Sequence, residues 1–253
     1  MVTNRSLTVF PLLLAVALCC ATPAFPCPRA NGYKDINCDG KFTVLAIGDS
    51  VVVGVGDTKY KNKGGYVTRL QRRKKDLKAL RVGVAGISSF RLYGKLVRDL
   101  APATANAVNS RVRIADLIVI DVGRNDFYEG ADPVASVRTI KRIVSKLALY
   151  VKNHAGYSPD IRVATLLPTR RDFQRTFLQA VNILMLSHHS SALPVDIRFD
   201  KVSVYLMTWF PEDGIHPSSA GYTAMEAILE HFIRNMFYRA TAIVPPTPCP
   251  TPL

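Results

Sequence analysis

Short apolar runs alternate with longer amphipathic stretches through most of this chain of 253 residues, and that rhythm leaves few folds open. Phe42–Ile47, Arg81–Val84, Leu117–Val122, Arg162–Leu167 and a weaker Val195–Phe199 each read as strands, being short, largely apolar and bounded by glycine or polar residues. Helices fill the gaps. The clearest is Pro133–His154, where Val134, Val137, Ile140, Val144, Leu147 and Val151 recur at three- and four-residue steps with Lys and Arg on the other face. Another begins at Ser218, whose hydroxyl can cap the N–H groups of Ala220 and Gly221, and continues through Met225, Ile228, Leu229, Phe232 and Met236. Strand, helix, strand in this order predicts a single α/β domain with a five-stranded parallel sheet covered on both faces.

The two ends of the chain read differently. Arg5 precedes an apolar run from Val9 to Ala21, too short for the roughly 20 residues that span a bilayer. Thr22-Pro23-Ala24 then offers a small-x-small cleavage site, so residues 1–24 are expected to be a signal peptide and the mature chain to be secreted or periplasmic, with no transmembrane segment. Cys19 and Cys20 fall in that segment. In an oxidising compartment Cys27 and Cys38 are free to close a short loop within an extension, residues 25–41, that precedes the first strand. Cys249 is left over, in a tail (residues 240–253) whose prolines preclude helix or central strand and favour an extended, disordered segment.

Parallel sheets place their functional loops at the carboxyl ends of the strands. Here those loops are Gly48-Asp49-Ser50 after the first strand, Ala85-Gly86-Ile87-Ser88-Ser89 after the second and Gly123-Arg124-Asn125-Asp126 after the third. Asp213-Gly214-Ile215-His216-Pro217 stands before the last helix. A serine hydroxyl is a poor nucleophile at neutral pH and needs a base, which in turn needs a partner to fix its tautomer. Ser50, His216 and Asp213 supply the three types. An oxyanion needs preorganised donors, and a loop N–H from Gly86–Ser89 with the Asn125 amide are of the right kind.

At these residues the sequence resembles the SGNH (GDSL-type) hydrolases, whose blocks are a Gly-Asp-Ser, a glycine-bearing second loop, a Gly-x-Asn-Asp and an Asp-x-x-His. The resemblance spans about residues 42 to 238, within an expected hydrolase domain of residues 42–239, and implies a flavodoxin-like three-layer sandwich, no cofactor and no metal. It implies that Ser50 attacks an ester carbonyl, that His216 shuttles the proton, and that Asp213 orients His216. The oxyanion hole would then comprise the Ser50 N–H, a second-loop N–H from Gly86 or Ser89, and the Asn125 side chain. Sugar-linked acyl groups, lipid esters and thioesters are all compatible substrates. Transfer of the acyl group to an acceptor other than water uses the same residues, and a catalytically silent scaffold that holds an anionic polymer is the rival reading.

Three departures from the pattern bear on the site. Val51 follows the serine, Val84 and Ser89 stand where the second block more often has Asn and Gly, and Arg124 occupies the variable position of the third. Arg124 is open to two readings: it binds an anionic substrate group, or it turns to solvent or pairs with Asp126 or another acid. Asp49 and Asp126 read as structural acceptors of loop N–H groups. Gly54–Lys59 lacks the ending of a phosphate loop and reads as a flexible wall of the site. His154, His188, His189 and His231 carry no metal-ligand spacing. Trp209 and Phe210 are placed either to line a pocket or to pack beneath the loop.

A net charge of +14 directs attention to anionic partners. The basic residues Lys59, Lys61, Lys63, Arg69, Arg72, Arg73, Lys74, Lys75, Lys78 and Arg81 are read mainly as one helix and its approach. That helix is either an anion-binding surface or a solvated face. No aromatic residue interleaves with the basic run Arg69–Lys78 of the expected helix, which together with export argues against nucleic acid.

Overall fold

The computed structural model describes residues 27, 29–101, 106–207 and 214–238. The expected signal peptide, the proline-rich tail with Cys249, and Trp209, Phe210 and Asp213 lie outside the described residues. Five strands form one parallel sheet in the order β2-β1-β3-β4-β5, made of β1 (Thr43–Gly48), β2 (Lys78–Gly83), β3 (Leu117–Asp121), β4 (Asp160–Ala164) and β5 (Val195–Ile197). Between and after them run α1 (Ser50–Val53), α2 (Gly65–Arg73), α3 (Ser89–Asp99), α4 (Ala107–Val112), α5 (Pro133–Ala155), α6 (Asp172–Ser187) and α7 (Ser219–Phe237). The α/β sandwich expected from the alternation is the fold observed.

Every residue of β1 and β3 is buried, as a strand covered on both faces requires. Side chains alternate between two cores. Leu45, Ile47, Ile118 and Ile120 pack with Leu92 and Leu96 of α3, Ile140 and Leu147 of α5 and Leu178 of α6. Val44, Ala46, Leu117 and Val119 pack on the opposite face with Leu70 of α2 and Met225 and Leu229 of α7. The sheet lies between α3, α4, α5 and α6 on one face and α1, α2 and α7 on the other, which makes the three layers.

Local signals explain the two helices that the periodicity marks. Asp132 caps α5 by accepting the Ala135 N–H, Pro133 opens it, and Gly156 in the left-handed region (φ +74°) ends it. Ser218 caps α7 through the Gly221 N–H. Strand ends are shifted instead. β2 starts at Lys78, three residues before the expected Arg81, and β4 runs Asp160–Ala164. Lys78 and Arg81 therefore lie on a strand, and the basic segment is not one helix.

At the opposite end from the strand-end loops, the N-terminal extension straps across the base of the sheet. Cys27 and Cys38 are disulfide-bonded. Tyr33 stacks on Phe42 with ring centroids 5.1 Å apart. Asp116, fully buried ahead of β3, accepts the N–H groups of Ile36, Asn37 and Thr43 at 2.7, 3.2 and 2.7 Å. One carboxylate thus holds both the strap and the start of β1.

Candidate active site

The order of the strands sends the chain from β1 outward to β2 and then back across to β3, which opens a crevice at the carboxyl ends of β1 and β3. Gly48 ends β1 where a side chain is impossible, since a Cβ there would lie 1.9 Å from the Asp121 carbonyl oxygen. Asp49 then caps α1, its Oδ1 accepting the Val51 N–H at 2.9 Å. Ser50 is the first residue of that short helix. Gly54 (φ +93°) closes the turn by donating its N–H to the Ser50 carbonyl at 2.9 Å.

Ser50 Oγ lies 2.7 Å from Nε2 of His216, although 166 residues separate the two in sequence. The turn that carries His216 is pinned on both sides. The Gly214 carbonyl accepts the Arg170 N–H (2.9 Å) and the Thr169 hydroxyl (3.2 Å), and the Ser218 N–H donates to Leu206 O at 2.8 Å. The start of α7 is also fastened to the segment after Ser50. Tyr222 donates to Val55 O at 2.7 Å, and Ser219 Oγ donates to Asp57 at 2.8 Å. Asp57 in turn accepts two bonds from Arg69 (2.7 and 3.0 Å) and the Gly65 N–H (3.0 Å). Val55 and Asp57 of the segment Gly54–Lys59 thus tie α1, α2 and α7 together.

The second and third loops are joined at three points. Asn125 Nδ2 donates to Ile87 O at 3.0 Å, which leaves the second proton of its amide for another acceptor. Ser88 Oγ donates to Glu129 at 2.7 Å. Ser89 gives both its N–H and its hydroxyl to Asp126, each at 2.6 Å. This corrects one expectation: the Ser89 N–H is committed to a buried carboxylate and is not the second-loop oxyanion donor. Gly86, exposed and in the left-handed region (φ +73°), has an N–H with no acceptor among the described residues, and so does Ser50. Asp126 has the structural role expected of it, and burial raises its carboxyl against the lowering effect of the Ser89 bonds.

Arg124 follows the reading in which it pairs with an acid, though the acids are Asp49 and Asp121 and not Asp126. It is buried, with Nη2 2.9 Å from Oδ1 of Asp49 and 2.6 Å from Oδ1 of Asp121. Tyr66 donates to the other Asp121 oxygen at 3.2 Å. Burial works against the charge on Arg124, but Asp121 and Asp49 outweigh it and hold the guanidinium protonated. Burial pushes the Asp121 carboxyl up, and Arg124 opposes that push. This ion cluster braces the turn that carries Ser50. Asp121 and Tyr66 were not singled out from sequence; an acid at the end of an otherwise apolar strand was the available signal.

Two of the three basic residues of α2, Arg69 and Arg73, are paired with acids, Arg73 across the interface with α7. Besides the Arg69–Asp57 pair, Arg73 bonds Glu226 and Glu230, and Lys74 bonds Glu230 at 2.7 Å. Among the described residues no cluster of His, Cys, Asp and Glu is arranged to hold a metal ion, and no helix is long and apolar enough to cross a membrane.

Comparison with known proteins adds the following. Residues 46–224 match the model of the GDSL-like Lipase/Acylhydrolase family. Among solved structures, a member of the lipolytic protein G-D-S-L family from Veillonella parvula superposes with a TM-score of 0.57 at 16% identity, covering 76% of this chain and 99% of that one. An aryl esterase from M. smegmatis gives 0.54 at 16% identity, covering 77% and 99%. A carbohydrate acetylesterase family member from Sinorhizobium meliloti gives 0.51 at 16% identity, covering 77% and 98%. At these identities the likeness concerns the fold. No curated protein matches in sequence.

Proposed function

The chain belongs to the GDSL-like lipase/acylhydrolase family, and from that premise we propose that it is an exported serine esterase that works through an acyl-enzyme on Ser50. The observation that carries the reading is the 2.7 Å approach of Ser50 Oγ to His216 Nε2, from two turns that are each braced and are tied to one another through Val55 and Asp57. With Nε2 as acceptor, His216 carries its proton on Nδ1, and that proton needs an acceptor to hold the ring in place. Asp213, three residues earlier, is assigned this role through the family pattern.

In the reaction, Ser50 Oγ attacks the ester carbonyl carbon while its proton passes to Nε2. The resulting oxyanion accepts from the Ser50 N–H, the Gly86 N–H and the second amide proton of Asn125. Collapse breaks the bond to the alcohol, which leaves with the proton from His216. Water, deprotonated by the same nitrogen, then attacks the acyl-enzyme and releases the acid. Ser50, Asp213 and His216 are the catalytic residues of this scheme.

The aryl and carbohydrate acetylesterase names among the structural neighbours make aryl acetates and acetylated sugars the first substrates to try. The test is hydrolysis of p-nitrophenyl acetate, butyrate and octanoate by the mature protein beside its Ser50→Ala variant. Release that disappears in the variant is expected, and the chain-length preference then delimits the acyl pocket. Equal release by both proteins would remove Ser50 from the mechanism. Export is tested separately, by N-terminal sequencing of protein recovered outside the cytoplasm, where a mature end after Ala24 is expected.

A further inference from the structure

The open edge of the sheet carries a groove that the proposed reaction does not use. β2 pairs only with β1, and alternate residues of a parallel strand face the partner. The Lys78 N–H bonds Phe42 O at 2.9 Å and the Val84 N–H bonds Gly48 O at 3.1 Å, so Ala79, Arg81 and Gly83 turn their backbone groups outward. Side chains already cover two of these. Gln71 Oε1 accepts the Ala79 N–H at 2.7 Å, and Arg111 Nη1 donates to the Arg81 carbonyl at 2.6 Å. Addition of a further strand is thereby blocked. What remains is a groove of about 650 Å³ with β2 as its floor, α2 as one wall and α3 with α4 as the other.

Its chemistry is one-sided. Arg72, Arg81, Lys95 and Arg111 line it, and no acidic or aromatic residue does among the described residues. The guanidinium of Arg81 is spent on the neutral carbonyls of Val53, Gly64 and Lys63 at 2.6 to 2.7 Å, which satisfy its donors without cancelling its charge. Arg111 likewise meets a carbonyl, Arg72 lies over the Tyr60 ring, and Lys95 alone has a carboxylate, that of Asp99 at 2.6 Å. The pKa of Arg81 is pushed down by burial, with the charge of Arg111 adding to the effect. The other cations of α2, Arg69 and Arg73, are paired with acids. Between the cations the lining is mostly aliphatic, with Val67, Leu80, Val82 and Val108, and Thr68 and Gln71 are its uncharged polar members. Without an aromatic platform it offers nothing for a base or a sugar face to stack on.

We propose that this groove binds an anionic amphiphile, with a carboxylate or phosphate head on Arg72, Lys95 and Arg111 and an aliphatic body along Val67, Leu80, Val82 and Val108. Val53, the last residue of α1, closes one end, so the bound molecule would abut the helix that carries Ser50. The site is separate from the nucleophile, and its occupancy does not require turnover.

The test is calorimetric titration of the full-length Ser50→Ala protein at low ionic strength with sodium octanoate, octyl phosphate and the neutral 1-octanol. Saturable binding of at least one anion, at least tenfold tighter than the alcohol, is expected. A preference for octanoate would identify a free carboxylate as the ligand class, and a preference for octyl phosphate a lipid headgroup. The double variant Arg72→Gln/Lys95→Gln, whose positions lie at the rim, should weaken binding at least fivefold with an unchanged melting temperature. Absence of saturable binding by either anion overturns the proposal. So does equal binding of 1-octanol, or full affinity in the correctly folded double variant. Because turnover is absent from this experiment, failure of the groove proposal and failure of the esterase reading are separately visible.

Discussion

Nη2 of Arg124 lies 2.9 Å from Oδ1 of Asp49, the same oxygen that accepts the Val51 N–H, so a buried cation from the third loop is bonded to the cap of the helix that begins at Ser50. Removing it leaves Asp49 and Asp121 buried without a counter-ion, a situation that costs roughly 3–5 kcal/mol. Arg124→Gln is expected to lose stability of that order at pH 7. The loss should shrink at pH 5, because Asp121, already raised by burial, takes up a proton once the guanidinium is gone. Urea unfolding at the two pH values checks this; an equal loss at both would show that charge is not the cause.

Asn125 is expected to act on the rate. Truncation to Ala removes one oxyanion donor, an effect of about 10²-fold or more on kcat. Part of the amide also holds Ile87 O, so a small loss of stability should accompany it. Steady-state kinetics with KM nearly unchanged is the expected signature. An unaltered kcat would take Asn125 out of the oxyanion hole.

Ser89 should behave in the opposite way. Its hydroxyl satisfies a buried carboxylate oxygen of Asp126, and the Ala variant keeps only the backbone bond. A stability loss of about 1–3 kcal/mol follows, while kcat/KM stays within a few-fold of wild type. A rate collapse in a well-folded Ser89→Ala protein would restore it to the catalytic machinery.

Asp116 makes a pH-dependent contribution at the base of the sheet. Burial, opposed by the three N–H bonds it accepts, raises its carboxyl to about 6. A folded value above the unfolded one, about 3.9, means that its contribution to stability is complete below pH 4 and is lost as the pH rises through 6. Two units correspond to about 3 kcal/mol. Asp116→Asn does not titrate, so it should cost more at pH 4 than at pH 7, by up to that amount. Paired denaturation curves of the two proteins isolate the difference, and a pH-independent gap would show that Asp116 does not titrate in this range.

The alternation of strands and helices, the α/β architecture and the residues that carry the proposed chemistry were legible in the sequence. Burial on both faces of a parallel sheet demands apolar runs, and a Gly-Asp-Ser after the first strand places a hydroxyl at the crevice mouth. Arg124, Ser89 and the basic segment were not legible to the same degree. Whether an arginine meets solvent or two buried acids depends on Asp49 and Asp121, which lie 75 residues and three residues away from it along the chain. The Ser89 N–H was a sound candidate until Asp126, 37 residues on, claimed it. Likewise Arg73 of α2 is paired with Glu226 and Glu230 of α7, while Arg72 of the same helix joins a groove lined by cations at an edge strand that the local pattern began too late. Hydrophobic periodicity is a local property and survives in the order of residues. Hydrogen bonds and ion pairs between distant segments are set only when the sheet brings those segments together, and there the tertiary structure alone decided.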